Sequence, residues 1–272
     1  MRRKVVFLDI DGTITNFKGE MPKSAEIALE AARQNGHLLV PCTGRTHSQI
    51  FPWMRTDLYA GIICGAGSHV RVGDEVIFQH YLERSSLNRA LAYFERRRTL
   101  YYLQTTTAIY APGWVLDREI EVFGTDSMEE EERERIFGRV YETGCPSCHK
   151  DVEKIAYYQS KETVEQVRAS LGSYFCVTAS SFELTGCADG EVTCAGINKA
   201  EGMRRFLEYV GIDRKDTVAV GDGPNDLEML QYAAEGAAME NAAESLKSAA
   251  DFVTDDVDED GLYHAFERLG LI

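Results

Sequence analysis

No stretch of this sequence is both apolar and long enough to cross a bilayer, which takes ~18–20 consecutive apolar residues; its apolar runs are short and cut by charge. The first, Val5 to Leu8, follows a basic start (Met1-Arg2-Arg3-Lys4) in the manner of an export leader. Asp9 ends it, however, and no cleavable apolar core follows. The expectation is a cytoplasmic protein without membrane association. Positive charge is also scarce: 29 Lys and Arg stand against 44 Asp and Glu, a formal charge of −15. That excludes a nucleic-acid backbone as partner, because such binders need a concentrated basic surface. An anionic substrate would have to be drawn in by a metal ion or by a few well-placed Lys and Arg. The seven cysteines are odd in number and come with no export signal, which argues against a disulfide framework. Cys42, Cys64 and Cys176 lie in apolar surroundings and read as small buried hydrophobes. Internal repeats and low-complexity tracts are absent, and the chain is compatible with either a monomer or a homodimer.

What is present is a chain of 272 residues, enough for one large domain or two small ones. Val5-Val6-Phe7-Leu8 is a continuous apolar run ending in polar residues, the mark of a buried parallel strand with a loop at its carboxyl end. A helix over 22–35 follows, with Pro22 near its start and Gly36 after it. Leu38-Leu39-Val40 and Gly61-Ile62-Ile63-Cys64 read as two more buried strands, so this part predicts βαβ units and a parallel sheet. The middle differs. Helices are expected at 85–98, 129–142 and 161–171, with strands at 100–105, 153–159, 174–179 and 181–185, which describes a separate α+β unit. After Gly190 the alternation returns: a helix from Asn198, a strand Thr217 to Val220, a helix at 227–234, a strand at 236–239, a helix at 242–249, a strand at 252–254 and a final helix. The expected architecture is α/β, a doubly wound, mostly parallel sheet over 1–81 and 190–272, interrupted by an inserted α+β cap over 82–189.

Four polar clusters fall at strand ends or at a helix start, and the carboxyl ends of strands in an open parallel sheet form the ligand crevice. In Asp9-Ile10-Asp11-Gly12-Thr13, residues i and i+2 of an extended segment face the same way, so two carboxylates are expected at one site. Like charges so close need a cation between them, or one must keep its proton. An ionised Asp9 can bind a metal and attack phosphorus, and a protonated Asp11 can serve a leaving oxygen. Gly12 lets backbone pass close to a phosphate and offer N–H groups; the plainer alternative is an acidic loop with an Asp cap. Thr43-Gly44-Arg45 offers a hydroxyl and adjacent N–H groups for phosphoryl oxygens, although Thr-Gly after a strand is also an ordinary turn. Lys199, near a helix start, is a compact charge for phosphate and nucleophile; alone it would be a solvated surface lysine. Gly221-Asp222-Gly223-Pro224-Asn225-Asp226 brings two carboxylates and an amide to a strand end, a set that suits Mg²⁺ and equally makes a turn.

Taken together, Asp9-x-Asp11-Gly12-Thr13, Thr43, Lys199 and Gly221-Asp222-x-x-Asn225-Asp226 resemble, in order and spacing, the four motifs of the haloacid dehalogenase superfamily, in particular its Cof-like phosphatases with a type II cap. Met239-Glu240-Asn241-Ala242 and the stretch from Val253-Thr254 to Gly261 resemble that subgroup too. The resemblance implies a Mg²⁺-dependent phosphatase acting on small phosphorylated metabolites through an aspartyl-phosphate. Asp9 would be nucleophile and metal ligand, and Asp11 acid/base and a ligand through its backbone carbonyl. Gly12, Thr43, Gly44, Lys199 and Asn225 would hold phosphate or its surroundings, while Asp222 and Asp226 would complete the metal set. Two departures stand out. Ala66 replaces the asparagine usual in Gly65-Ala66-Gly67, and Pro224 stiffens the metal loop without removing a ligand. A phosphosugar mutase, or a phospho-ligand sensor on the same scaffold, are the alternatives. Cap side chains such as Glu183 or Arg118 carry no motif that names a substrate.

Two competing motifs remain. Cys145-Pro146-Ser147-Cys148-His149 matches a haem-attachment pattern, but no second Cys/His pair completes a zinc site, so it reads as a surface loop with two thiols. Asp256 to Gly261 with Glu267 fits an EF-hand template but lacks the entering helix. The run Glu129 to Arg135 reads as a solvated helix face.

Overall fold

The computed structural model describes residues 2–50, 58–123, 134, 138–180 and 188–272. The chain divides into two compact units, one of Met1–Gly44, Trp53–Gln79 and Asn198–Ile272, the other of Arg45–Pro52 and His80–Ile197.

The first unit is built on a five-stranded parallel sheet. Its strands lie in the order Phe252–Val253, Glu235–Ala238, Thr217–Gly221, Val5–Leu8, Leu38–Pro41. From the two central strands the chain winds outward in opposite directions, so their junction is the topological switch point of the sheet. Val5, Val6, Phe7 and Leu8 are all fully buried, because helices cover both faces of such a sheet. Each such side chain contributes roughly 1.5–3 kcal/mol by leaving water. Val5 and Phe7 point into one cluster with Met203, Phe206 and Ala219, and the Phe7 and Phe206 rings meet edge to face with centroids 5.9 Å apart. The expected helix over 22–35 is Lys23–Gln34, which buries Ala25, Ala28, Leu29 and Ala32 at helical spacing.

The strand Gly61–Cys64 departs from the expected parallel sheet. It touches Leu38–Pro41 through Ala60 N–H to Leu39 O (2.9 Å), and one parallel bridge pairs Cys42 with Ile63. Its ladder instead runs antiparallel to His69–Val72, which pairs in turn with Glu75–Gln79. The cause is local. Gly65, Ala66 and Gly67 all take left-handed φ, of 57°, 54° and 102°, and reverse the chain in three residues where a parallel return needs a dozen.

The second unit carries a six-stranded sheet ordered Phe175–Ala179, Ala188–Cys194, Val152–Ser160, Leu100–Thr105, Ile109–Ala111, Val140–Glu142. All neighbours are antiparallel except the last pair. Phe94, from the helix Arg84–Arg97, stacks between Tyr101 and Tyr157 at 6.0 and 5.3 Å. Thr163 caps the helix Val164–Leu171 through a reciprocal pair with Gln166.

Several sequence expectations shift here. Ala188–Cys194 pairs with Val152–Ser160 and Phe175–Ala179, so the chain returns to the first unit at Asn198, not at 190. The far boundary is at Gln79/His80. Residues 140–142, expected as the end of a helix, form a strand because Val140 and Tyr141 find a ladder in Ile109–Ala111. Most of the expected helix at 129–142, the Glu129 to Arg135 run apart from Glu134, the strand at 181–185 and Glu183 lie outside the described residues. The helix Gly113–Phe123 was not expected. No element was read over these residues; Pro112 O accepts the N–H of Val115 at 2.9 Å and starts the helix. Cys145 and Cys148, expected as two thiols, are joined by a disulfide, and Cys176 is half-buried where a buried position was expected. Among the described residues no helix is long and apolar enough to cross a membrane.

Candidate active site

Parallel pairing sets Leu8 against Val220, and Asp9 extends that ladder by donating its N–H to Val220 O at 3.0 Å. Asp9 therefore stands opposite Gly221, and Asp222 follows one residue further along the neighbouring strand, both at the switch point. Each of Asp9, Asp222 and Asp226 brings a carboxylate oxygen within 4.8 Å of the others, and all three are buried. Lys199, with 0% of its side chain exposed, reaches the same point from the first turn of the helix Lys199–Val210. Its Nζ lies 2.8 Å from Asp9 Oδ1 and 2.6 Å from Asp226 Oδ1. Asn198 starts that helix by accepting the Glu201 N–H at 2.9 Å. The chain thus turns helical at the residue that places Lys199 inward.

The electrostatics are one-sided. Three buried carboxylates less one ammonium leave a surplus of two negative charges when all are ionised. Burial first, then the Asp226 carboxylate, raises the Asp9 carboxyl to about 7 against the pull of Lys199. Asp222 is pushed well above the usual carboxylate range by burial and then by Asp9 and Asp226. Burial works against the charge on Lys199, but Asp226 and Asp9 outweigh it and keep the ammonium on. Such a surplus calls for a cation. All-oxygen donors with room for few carboxylates fit Mg²⁺.

Supporting bonds fix the ring. Thr13 donates its hydroxyl to Asp222 Oδ1 at 2.7 Å. Asp226 Oδ2 accepts the N–H groups of Asp222 and Gly223 at 3.0 and 2.9 Å. Both oxygens of Asp226 are thus engaged, one by Lys199 and one by backbone. Pro224 opens the short 3₁₀ turn Pro224–Asp226, where it removes none of these donors. Asn225 follows with a buried Oδ1 that has no partner among the described residues.

Not every expected residue is placed as anticipated. The strand ends at Leu8 and Ile10 already sits in a turn, so Asp9 and Asp11 do not share one extended segment. Asp11 is buried and close enough for its charge to raise Asp9, yet its carboxylate is not among those meeting within 4.8 Å. Gly12 gives its N–H to Thr15 O at 2.7 Å instead of keeping it for a phosphate. Its role is close approach: with φ +84°, an added Cβ would stand 2.1 Å from Asp222 Oδ2. Thr43 is buried, its N–H bonded to Ile63 O and its carbonyl to Ala66 N–H, and Gly44 follows half-buried. Asn241 had been read only as part of a family-like stretch. Its amide donates to Gly12 O at 2.9 Å and accepts the Val257 N–H at 3.1 Å, tying the Asp11–Gly12 turn to the C-terminal segment. The EF-hand-like loop is part of that tie, since Asp258 accepts from Asn16 at 2.9 Å. The strand Phe252–Val253 precedes this loop where an EF-hand needs a helix.

The profile of the haloacid dehalogenase-like hydrolases matches residues 6–266. The chain belongs to this family. Among its relatives, YkrA of Bacillus subtilis (strain 168) is 28% identical with all of both chains covered. The phosphatase YwpJ of the same organism is 27% identical over 98% of this chain and 99% of its own. The solved structure of the subclass IIB sugar phosphatase BT4131 superposes with a TM-score of 0.81 at 27% identity, covering 99% and 100% of the two chains. As a haloacid dehalogenase-like hydrolase the protein is a phosphatase, with a mostly parallel α/β core and a further α+β unit.

Proposed function

We propose that the protein is a Mg²⁺-dependent phosphomonoester hydrolase of small phosphorylated metabolites, with sugar phosphates first among them, working in the cytoplasm through an aspartyl-phosphate on Asp9. The observation that carries this reading is the Asp9 carboxylate, buried at the switch point and held 2.8 Å from Lys199 Nζ with Asp222 alongside. The choice of sugar phosphates rests on the likeness to BT4131, named as a sugar phosphatase.

Asp9, Asp222 and the backbone carbonyl of Asp11 would hold Mg²⁺, with Asp226 acting mainly to position Lys199 and the Asp222 loop. Bound Mg²⁺ supplies positive charge between the nucleophile and the phosphate oxygens. The rest is done by the chain. Lys199 orients Asp9 and neutralises one carboxylate, and Thr43 with Gly44 holds phosphoryl oxygens. Asp9 attacks phosphorus and the ester P–O bond breaks, while Asp11 gives its proton to the leaving alkoxide. Water then attacks the phosphoryl group on Asp9 and loses a proton to Asp11. Inorganic phosphate leaves with Asp9 and Asp11 restored.

With p-nitrophenyl phosphate and Mg²⁺ the purified protein releases phosphate, EDTA stops the reaction and Mg²⁺ restores it. Asp9→Asn lowers the rate by roughly 10³-fold or more with the fold intact by circular dichroism. Turnover that survives EDTA, or an Asp9→Asn enzyme within tenfold of the parent, contradicts the mechanism. A panel of phosphorylated sugars, nucleotides and cofactors then ranks substrates by kcat/KM.

A further inference from the structure

The second unit holds a cavity of about 600 Å³ lined by Arg97, Arg98, Trp114, Arg118, Gln159 and Lys161 together with the carboxylates of Asp117 and Glu121. Four cations in one wall are a local excess on a chain of formal charge −15, and their arrangement favours a ligand over plain solvation. Arg97 is pinned, its guanidinium 3.9 Å from the Tyr93 ring centre and its Nε bonded to Glu162 at 2.9 Å. Arg118 has a loose partner in Glu121 at 3.8 Å. Arg98 and Lys161 form no ion pair among the described residues. Arg98 instead lies over Trp114, 4.5 Å from the ring centre. The Trp114 ring thus supplies a flat face to the cavity wall, while its Nε1 is buried away from solvent.

The backbone adds a second observation. Only four non-glycine residues among those described take left-handed φ, and two of them, Arg98 at 53° and Gln159 at 55°, line this one cavity. Arg98 ends the helix Arg84–Arg97 at a position where glycine is the usual choice. Gln159 sits beside a register shift between Val152–Ser160 and Ala188–Cys194, with its N–H held by Asp189 at 2.9 Å. Bulges and strained non-glycine residues re-aim side chains and gather at binding sites. Here both line the same cavity.

We propose that this cavity is a second, non-catalytic site that binds a phosphate chain, a di- or triphosphate either free or carried on a nucleoside. Guanidinium forks, an ammonium and an amide are all donors suited to phosphate oxygens. The volume exceeds what a single phosphate fills, and two cations without carboxylate partners favour a ligand of at least two negative charges. None of its residues belongs to the cluster around Asp9.

The test uses the full chain carrying Trp53→Phe, which leaves Trp114 as its sole tryptophan, in EDTA so that binding at the metal-dependent site is suppressed. Sodium tripolyphosphate, ATP and adenosine are titrated in turn, reading Trp114 fluorescence and binding heat. Tripolyphosphate is expected to give a saturable change with one site per chain. Arg98→Ala and the exposed Lys161→Ala each weaken it about tenfold, and Asp9→Asn leaves it unchanged. ATP binding more tightly than tripolyphosphate identifies a nucleotide as the source; equal affinity with silent adenosine identifies the bare chain. No saturable change up to millimolar tripolyphosphate, an unchanged Kd in the well-folded Lys161→Ala protein, or loss of binding in Asp9→Asn overturns the proposal.

Discussion

Asp226 holds the site together from both sides, one oxygen on Lys199 and the other on two backbone N–H groups, whereas Asp222 accepts a side-chain hydrogen bond from Thr13 alone among the described residues. The two carboxylates should therefore separate in their effects. Asp226→Ala removes three bonds and leaves the buried ammonium with Asp9 only, at a cost of about 3–5 kcal/mol. Asp222→Asn keeps an acceptor for Thr13 and removes one like charge, so stability holds or rises while activity is lost. Denaturant unfolding of the two variants, set beside phosphatase rates, checks the contrast; equal destabilisation by both refutes it. His37 makes a second case. It is buried, its Nδ1 accepts the Lys4 N–H at 3.1 Å and its Nε2 has no partner among the described residues. Burial, then the charge of Lys4, holds it below its ordinary value of 6.5. A pKa lower in the folded than in the unfolded chain means the unfolded chain takes up the proton first. Stability is then intact above about pH 6.5 and declines as pH falls below it. The raised carboxyls of Asp9 and Asp222 act in the opposite sense over the same range, so the difference is what isolates His37: the melting temperature of His37→Gln relative to the parent should rise as pH falls below about 6.5.

The three-residue reversal at Gly65-Ala66-Gly67 is the element that most changes the expected fold, and it holds the one residue there that pays a steric cost. Ala66 sits at φ 54°, a conformation that costs an ordinary residue roughly 1–2 kcal/mol. Glycine removes that strain but loses ~0.4–1 kcal/mol through greater freedom in the unfolded chain. Ala66→Gly is thus expected to stabilise by between about 0 and 1.6 kcal/mol, at about 2–4 °C in melting temperature per kcal/mol. Calorimetry decides this, and a fall in melting temperature means that the Ala66 methyl packs better than its backbone suffers. The same turn explains why a parallel strand was expected. Gly61–Cys64 has the continuous apolar composition of a buried strand, and composition does not tell which neighbour will pair with it. Val140–Glu142 and Ala188–Cys194 were missed for the same reason, since each becomes a strand only because a distant edge accepts it.

For the whole molecule the surplus of negative charge around Asp9 links metal binding to stability. A cation that binds only the folded chain stabilises it by about 2.7 kcal/mol at one hundred times its Kd. Melting temperature should therefore climb with Mg²⁺, and the climb should vanish in Asp222→Asn; a Mg²⁺-independent melting temperature argues against a metal in this cluster. Much of the site was legible in the chain. The apolar runs ending at Asp9 and Gly221 are set by burial, and strand ends in a parallel sheet meet at one edge, so Asp9, Lys199, Asp222 and Asp226 followed from motif and spacing. The sequence alone thereby determined the alternating core, the residue types gathered in its clusters and the family they resemble. Tertiary structure decided what depends on register across more than 200 residues. It brought the Asp9 carboxylate to that of Asp222, engaged both oxygens of Asp226, left Asp11 outside the nearest ring of carboxylates, gave the Gly12 N–H to Thr15, and brought Asn241 to brace that turn. Local preference cannot choose among these partners, because hydrogen bonds between distant segments form only once packing has set their distance.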